Sequence, residues 1–495
     1  MNYTSTRSTA SASVSAAEAI KNGLAPDGGL YMPASLPTLT LEEVETLSRL
    51  PYAERAAYVL GKFLTDYTCE ELTQDCREAY SEARFPGGAA PVVNVGDGLY
   101  TLELWHGPTA AFKDMALQIM PRLLSRALKK TGETRTAMIL VATSGDTGKA
   151  ALEGYRDVPQ VKIQVFYPVD GVSRVQKLQM MTQQGANVSV MAIRGNFDDA
   201  QSGVKRIFAD AAVAEALDAK GVFLSSANSI NWGRLAPQIV YYVSAYCDMV
   251  KTGALSLGDT LDVCVPTGNF GNIFAAYIAK KMGLPLGKLI CASNTNNVLT
   301  DFLETGVYDR NRPFHTTMSP SMDILISSNL ERLLYLTCGA EKTAAYMKQL
   351  AETGRYALEE ADLAAIRAHF VGYSTDEEAT AATIRATYTD YAYLADTHTA
   401  VGIGAVRRYQ KEVGEGTRVL LASTASPYKF AYDVYRSVKG ENAEDELRAL
   451  DQLSAETGVA IPAPLTGMGE REVRFTQVID AALMTDEVLA FADKV

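Results

Sequence analysis

Five short segments of this chain carry residue types that do chemistry when brought together. Two are glycine-rich loops, Thr143-Ser144-Gly145-Asp146-Thr147-Gly148 and Pro266-Thr267-Gly268-Asn269-Phe270-Gly271-Asn272. Each follows a short apolar run (138–142 and 261–265) and opens a helical pattern. In such a strand–loop–helix junction, glycines let backbone N–H groups converge on an anion at the positive end of the helix. No Lys-Ser/Thr pair closes either loop and neither reads GxGxxG, so Walker-type and dinucleotide sites are disfavoured. One such loop is as readily a tight turn, whereas two point to a ligand set with two anionic groups.

The third segment is His106-Gly107-Pro108-Thr109-Ala110-Ala111-Phe112-Lys113-Asp114. A lysine after a Gly-Pro turn, at the start of an amphipathic helix, sits beside unpaired N–H groups and partly buried surface. Both disfavour its charge and move its pKa toward nucleophile and base values. Alone, such a lysine is usually a surface charge. The fourth, Asn228-Ser229-Ile230-Asn231-Trp232-Gly233-Arg234, groups two amides, a hydroxyl and an arginine that can grip a phosphate or carboxylate. Read alone, it is a helix cap with a surface arginine. The fifth, Ala422-Ser423-Thr424-Ala425-Ser426-Pro427, is a hydroxyl cluster just after a strand, able to meet a ring nitrogen or simply to turn. Gly402-Ile403-Gly404 follows no strand and reads as helix packing.

The elements that must position these segments follow from periodicity. Residues 16–22 form a short helix, and Thr40-x-x-Glu43 and Thr68-x-x-Glu71 are capping boxes that open two more. Pro86-Gly87-Gly88 marks a boundary, and a hairpin follows over 91–95 and 99–105. Asp114 to Lys129 reads as one helix. From there short strands alternate with helices, which predicts mostly parallel sheets covered on both faces. The expected architecture is α/β, two three-layer α/β lobes plus a helical N-terminal region. Residues 1–88 form the N-terminal region and 136–215 the small lobe. Residues 89–135 and 216–495 form the large lobe, with a helical insertion near 340–395.

Composition narrows the function. The 495 residues are 47% hydrophobic and 21% charged, the balance of a folded protein. With 46 basic and 58 acidic residues the net charge is −12, which argues against nucleic acid or an anionic membrane as partner. The longest apolar stretch, 237–250, is too short to span a bilayer and contains Asp248. Cys69, Cys76, Cys247, Cys264, Cys291 and Cys338 form no CxxC pair and read as buried free thiols. With only His106, His315, His369 and His398, no metal site is expected. The Ser/Thr/Ala-rich start carries one arginine and no apolar core of a signal, so a cytoplasmic protein is expected.

Taken in order, Phe112-Lys113-Asp114 after His106-Gly107-Pro108-Thr109, the Ser144–Gly148 loop, Asn228–Arg234, Pro266–Asn272 and Ser423-Thr424-Ala425-Ser426-Pro427-Tyr428-Lys429-Phe430 resemble the motifs of threonine synthases. These are pyridoxal-phosphate enzymes of the tryptophan-synthase-β fold (fold type II). The openings Tyr3-Thr4-Ser5-Thr6-Arg7 and Gly23-Leu24-Ala25-Pro26-Asp27-Gly28-Gly29-Leu30-Tyr31 resemble the family's long-chain branch, which makes the Ser/Thr-rich start part of the folded chain.

The resemblance implies roles for individual positions. Lys113 would bond the cofactor and act as catalytic base, and Gly268, Asn269, Phe270, Gly271 and Asn272 would cradle its phosphate. Asp146 would stand beside the pyridine hydroxyl and Thr424 would meet the pyridine nitrogen. Ser144 and Thr147 would hold the substrate carboxylate, while Asn228, Ser229, Asn231 and Arg234 would grip the substrate phosphate. The implied reaction converts O-phospho-L-homoserine and water to L-threonine and phosphate, in a monomer or homodimer. One departure is Ser426, where the family often has histidine. Rival expectations are a different lyase of the same fold, a paralogue that only binds phosphorylated metabolites, and a nicotinamide oxidoreductase.

Overall fold

Two parallel sheets organise the chain in a computed structural model that describes residues 1–9, 13–143, 145–170 and 172–494. The first has six strands, ordered Phe370–Ser374, Leu286–Ser293, Leu261–Pro266, Val419–Ser423, Leu99–Glu103 and Val92–Gly96. All neighbours run parallel except the last pair, an antiparallel edge hairpin. Its turn, Gly96-Asp97-Gly98, has positive φ at all three residues, which glycine adopts without strain. Val419–Ser423 is buried along its whole length, as expected of a strand covered on both faces. The second sheet has five parallel strands, ordered Val478–Asp480, Val188–Arg194, Val161–Pro168, Thr136–Ala142 and Val222–Ser225.

Three sequence expectations change here. The second sheet takes strands from outside 136–215, since Val222–Ser225 and Val478–Asp480 close its two edges. The latter has three residues, only Ile479 of them buried, and so carries no strand pattern to read. The stretch 340–395 is not a purely helical insertion, because Phe370–Ser374 pairs with Leu286–Ser293 as an edge strand of the first sheet. The helix expected from Asp114 to Lys129 is two, Asp114–Leu117 and Met120–Lys130, with Pro121 in the first turn of the second. Proline lacks the N–H that would continue a hydrogen-bond ladder, but fits a new first turn.

The N-terminal helices form as their caps dictate. The Thr40/Glu43 and Thr68/Glu71 boxes open Leu41–Ser48 and Cys69–Ala79, and Ser15/Glu18 does the same for Ala16–Asn22. Ala16–Asn22, Leu41–Ser48 and Tyr52–Phe63 pack on Trp232–Lys251, which is buried almost all round, and Cys69–Ala79 packs on Tyr52–Phe63. Arg55 reaches Ser244 Oγ at 2.8 Å and Asp248 at 2.7 Å. Tyr3–Ser5 pairs with Tyr31–Pro33, and the Tyr3 ring lies 5.6 Å from that of Trp232. Gly402 sits inside the helix Thr397–Val413, where a Cβ would lie 2.4 Å from Leu421 Cδ1; it is a packing glycine. Among the described residues, no helix is long and apolar enough to cross a membrane.

The helix Asp146–Tyr155 crosses Asp114–Leu117 so closely that a Cβ on Gly154 would lie 2.0 Å from the Leu117 carbonyl oxygen. That neighbour is backbone and cannot rotate away. Gly154→Ala should therefore destabilise the protein by about 1–3 kcal/mol through overpacking. This exceeds the roughly 1 kcal/mol that alanine gains over glycine in a helix. A lowered urea midpoint with unchanged slope is the expected reading.

Candidate active site

The loops at the ends of the two sheets meet around one amine. Lys113 lies in the loop that follows strand Leu99–Glu103, and backbone bonds stitch this loop to the segment after Val419–Ser423. The Phe112 N–H donates to the Thr424 carbonyl at 2.8 Å, Ser426 N–H to Ala110 O at 3.0 Å, and Ala111 bridges Ala425. Lys113 is 8% exposed. Its Nζ lies 4.8 Å from the Phe112 ring centre, 3.4 Å from Ser321 Oγ and 3.7 Å from Asp146 Oδ2. Burial lowers its pKa from the ordinary lysine value; Arg234 and Lys429 push the same way, and Asp146 opposes them.

Asp146 starts the helix Asp146–Tyr155 at the end of strand Thr136–Ala142. The loop is shaped by Thr143, whose Oγ1 accepts from Gly145 N at 2.9 Å and Gly148 N at 3.0 Å. Gly145 has φ 143°, and a Cβ there would overlap Gln176. Burial alone would raise the Asp146 pKa, but Lys429 and Lys113 outweigh it and hold the carboxyl well below the usual range. Its Oδ1 accepts from Gln176 Nε2 at 2.9 Å and lies 2.9 Å from Lys429 Nζ. Thr147 is half-buried beside it. Ser144 lies outside the described residues.

In the second loop Phe270 adopts a left-handed φ of 64°, turning the chain into the helix Gly271–Met282. A Cβ on Gly268 would meet the Ser321 carbonyl at 2.6 Å, so the residue beside the Lys113 amine also roofs this loop. The Gly268 carbonyl accepts from Ser327 Oγ at 2.7 Å. Asn269 is exposed, and its carbonyl accepts from Asn329 N and Nδ2, both at 3.0 Å. Asn272 Oδ1 takes the hydroxyls of Tyr241 and Tyr242 at 2.6 and 2.5 Å, leaving its buried Nδ2 without a partner at the helix start. First-turn N–H groups have no acceptor within their own helix. Together with that Nδ2 they are the donors this loop offers.

Asn329 joins this loop to the fourth segment by donating Nδ2 to Ser229 Oγ at 2.9 Å. Arg332 donates to the carbonyls of Ser229 and Ile230 at 3.1 and 2.6 Å. Asn228 is half-buried, its N–H bonded to Ser226 Oγ at 3.2 Å. Arg234 is buried, with Nη1 on the Ala227 carbonyl at 2.8 Å and Nε unpartnered. Burial pushes its pKa down to about 10, which still leaves it charged at neutral pH. Asn231 departs from the sequence expectation. Its Oδ1 caps Gly233 N at 2.9 Å and its Nδ2 donates to Ile20 O at 2.9 Å and Ser226 O at 3.1 Å. With both amide hydrogens committed, it belongs to the scaffold.

Sequence reading left several residues here without a role. Lys429 stood in a quoted motif, and only its side-chain partners reveal what it does. Ser321, Asn329 and Arg332 come from a stretch with neither strand alternation nor a glycine-rich loop. Buried His398 completes the roof: its Nδ1 is 3.0 Å from Asp396 Oδ1, and its Nε2 accepts from Ser321 N at 3.1 Å. The Asp396-x-His398 spacing was its only signal.

Family models match the chain over three ranges. These are a threonine synthase N terminus over residues 2–80, a pyridoxal-phosphate dependent enzyme over 90–425, and a threonine synthase C-terminal region over 399–488. A threonine synthase from Pseudomonas aeruginosa is 38% identical over 481 residues, covering 96% of this chain and 95% of the relative. Human threonine synthase-like 1 is 40% identical over 454 residues, covering 88% of this chain but 60% of that longer protein. The crystal structure of a pyridoxal-phosphate-bound threonine synthase from Brucella melitensis superposes with a TM-score of 0.86, at 36% identity and full coverage of both chains.

Asn272→Asp tests the anion cradle. The isosteric carboxylate still accepts from both tyrosines but replaces the free donor with a negative charge. Losing a charge-assisted bond is worth about 1.5–3 kcal/mol. Titration of the cofactor-free protein with pyridoxal phosphate should show at least a ~10-fold weaker dissociation constant, with the folded spectrum retained.

Proposed function

Because this chain belongs to the threonine synthase family of pyridoxal-phosphate dependent enzymes, we propose that it converts O-phospho-L-homoserine and water to L-threonine and phosphate. The observation that carries the reading is the convergence, around one buried lysine of lowered pKa, of an anion cradle and a separate buried arginine. A phosphorylated cofactor and a phosphorylated substrate need those two anion sites.

The residues fit pyridoxal phosphate. The unpartnered Asn272 Nδ2 and the tight Gly268 turn suit a phosphate, and among the described residues the Lys113 amine has no short bond to surrender before reacting with an aldehyde. Gly268, Asn269, Phe270, Gly271 and Asn272 would hold the phosphate, Lys113 the carbonyl carbon, Asp146 the side of the ring hydroxyl, and Thr424 the ring nitrogen. When bound, the cofactor supplies an electron sink for charge at the carbon bearing the substrate amino group.

The chain's own groups supply the rest. Lys113, uncharged at the moment it acts, takes the α-proton and is placed to move the β-proton. Ser321 Oγ lies 3.4 Å from its nitrogen and orients it. Thr147, half-buried next to Asp146, would receive the substrate carboxylate, with Ser144 its partner in that task. Arg234, with Asn228 and Ser229, takes the substrate phosphate, and its charge-assisted bonds stabilise the leaving anion. We place the enzyme in the cytoplasm, as a monomer or homodimer of fold type II with no nucleic-acid partner.

Purified protein loaded with pyridoxal phosphate and given O-phospho-L-homoserine should release phosphate and threonine in equal amounts. Lys113→Ala should abolish both. Arg234→Gln should lower kcat by about 10²–10³, the usual loss when one donor to a developing anion is removed. Phosphate accompanied by 2-oxobutyrate in place of threonine would overturn the reading.

A further inference from the structure

We propose that Lys429 is a positioning residue for Lys113, acting by holding the Asp146 carboxylate away from the Lys113 amine. The side chain of Lys429 is wholly buried. Its ammonium group has three hydrogens and three acceptors: Asp146 Oδ1 at 2.9 Å, the Thr109 carbonyl at 3.2 Å, and Gln179 Oε1. Nothing remains for a ligand, so its work is done on the protein. Together with Gln176 Nε2 at 2.9 Å, Lys429 fixes Oδ1 and so decides where Oδ2 points. Oδ2 stops 3.7 Å from Lys113 Nζ, too far for a normal hydrogen bond.

The arrangement resolves a conflict in the site. A carboxylate in full contact with the reacting amine would keep it protonated, while a site without one would leave several buried cations unopposed. Sharing Asp146 between two lysines satisfies both demands. The cationic neighbours of Lys113 are Lys429 and Arg234, and its anionic one is Asp146. Around Lys429, Lys149 is paired with Glu153 at 3.2 Å, and Asp114 is held by Thr109 N and Oγ1, both at 2.8 Å. Both of those charges are committed locally, which leaves Asp146 as the group through which Lys429 acts.

The inference rests on Lys113 being the cofactor lysine, as in the functional reading, but not on the identity of the substrate. The test is the pH titration of the visible absorbance of the fully loaded protein, which follows the protonation of the group joining Lys113 to pyridoxal phosphate. In Lys429→Met the freed carboxylate closes on that group, and the midpoint should rise by at least about one pH unit, a tenfold change in the protonation constant. In an Asp146→Asn background the same replacement should move it by less than half as much. If Lys429→Met does not fold, Lys429→Gln removes the charge that fixes Oδ1, and a rise in the same direction is expected. An unchanged midpoint, or equal shifts in the two backgrounds, would overturn the proposal. Protein that titrates as predicted but makes no threonine would sink the functional reading and leave this one standing.

Discussion

An amine that reacts near neutral pH must give up its proton more readily than a solvated lysine does, and burial is the means this fold uses. Burial has consequences that propagate outward. A buried ammonium needs a counter-charge, the counter-charge is itself desolvated, and each added ion must be bonded on every side. Lys113 is met by Asp146, Asp146 by Lys429 and Gln176, and Lys429 by Gln179 and the Thr109 carbonyl. Asp146 comes from a loop of the five-stranded sheet, whereas both lysines come from loops of the six-stranded one. The ionic cluster that tunes the amine is therefore also a bond between the two sheets. The tight crossing at Gly154 sets the distance over which that bond acts.

The anion cradle depends on a second chain of contacts, which starts far away in sequence. Thr6 Oγ1 donates to Glu331 Oε1 at 2.5 Å, and Arg7 forks onto both oxygens of the same carboxylate at 2.8 Å. The next residue, Arg332, is buried and bonded to the carbonyls of Tyr31, Ser229 and Ile230 and to Asn329. Burial pushes its pKa down to about 9, so it keeps its charge while organising these loops. Thr6, Arg7 and Tyr31 thus reach the cradle loops through Glu331 and Arg332. A bidentate arginine fork with one buried partner is the kind of ion pair that outperforms an ordinary surface bridge.

The parts of the site legible in the sequence are those whose local grammar and chemistry coincide. A strand feeding a glycine loop and then a helix can be read from residue types alone, and so the loops at 143–148 and 266–272 stood out, whereas Lys113 read alone as a surface charge and took its expected role from the family resemblance. Capping boxes at Thr40 and Thr68 are equally local. What escaped was settled by distant contacts. Lys429 has no distinguishing neighbour in sequence, because its partner Asp146 is nearly three hundred positions away. Ser321, Asn329 and Arg332 lie in irregular chain, where periodicity has nothing to report. Asn231 failed for the opposite reason: asparagine before a helix serves equally as ligand or cap, and only its three satisfied bonds decide for the cap.

Ser426 shows how such contacts change the meaning of a substitution. In the family this position is often histidine, and a lost histidine invites the idea of lost proton transfer. Here the Ser426 side chain is fully buried, with Oγ accepting from the Tyr428 N–H at 3.3 Å as it caps the short turn Pro427–Phe430. Its N–H holds Ala110 and its carbonyl accepts from Lys429 N–H at 3.0 Å, so the residue joins the loop of one lysine to the backbone of the other. Those two bonds are made by backbone, and any residue that fits the space preserves them. The position thus works through its main chain, which fixes where Lys113 and Lys429 stand relative to each other. The amine at this junction, that of Lys113, has its pKa lowered first by burial.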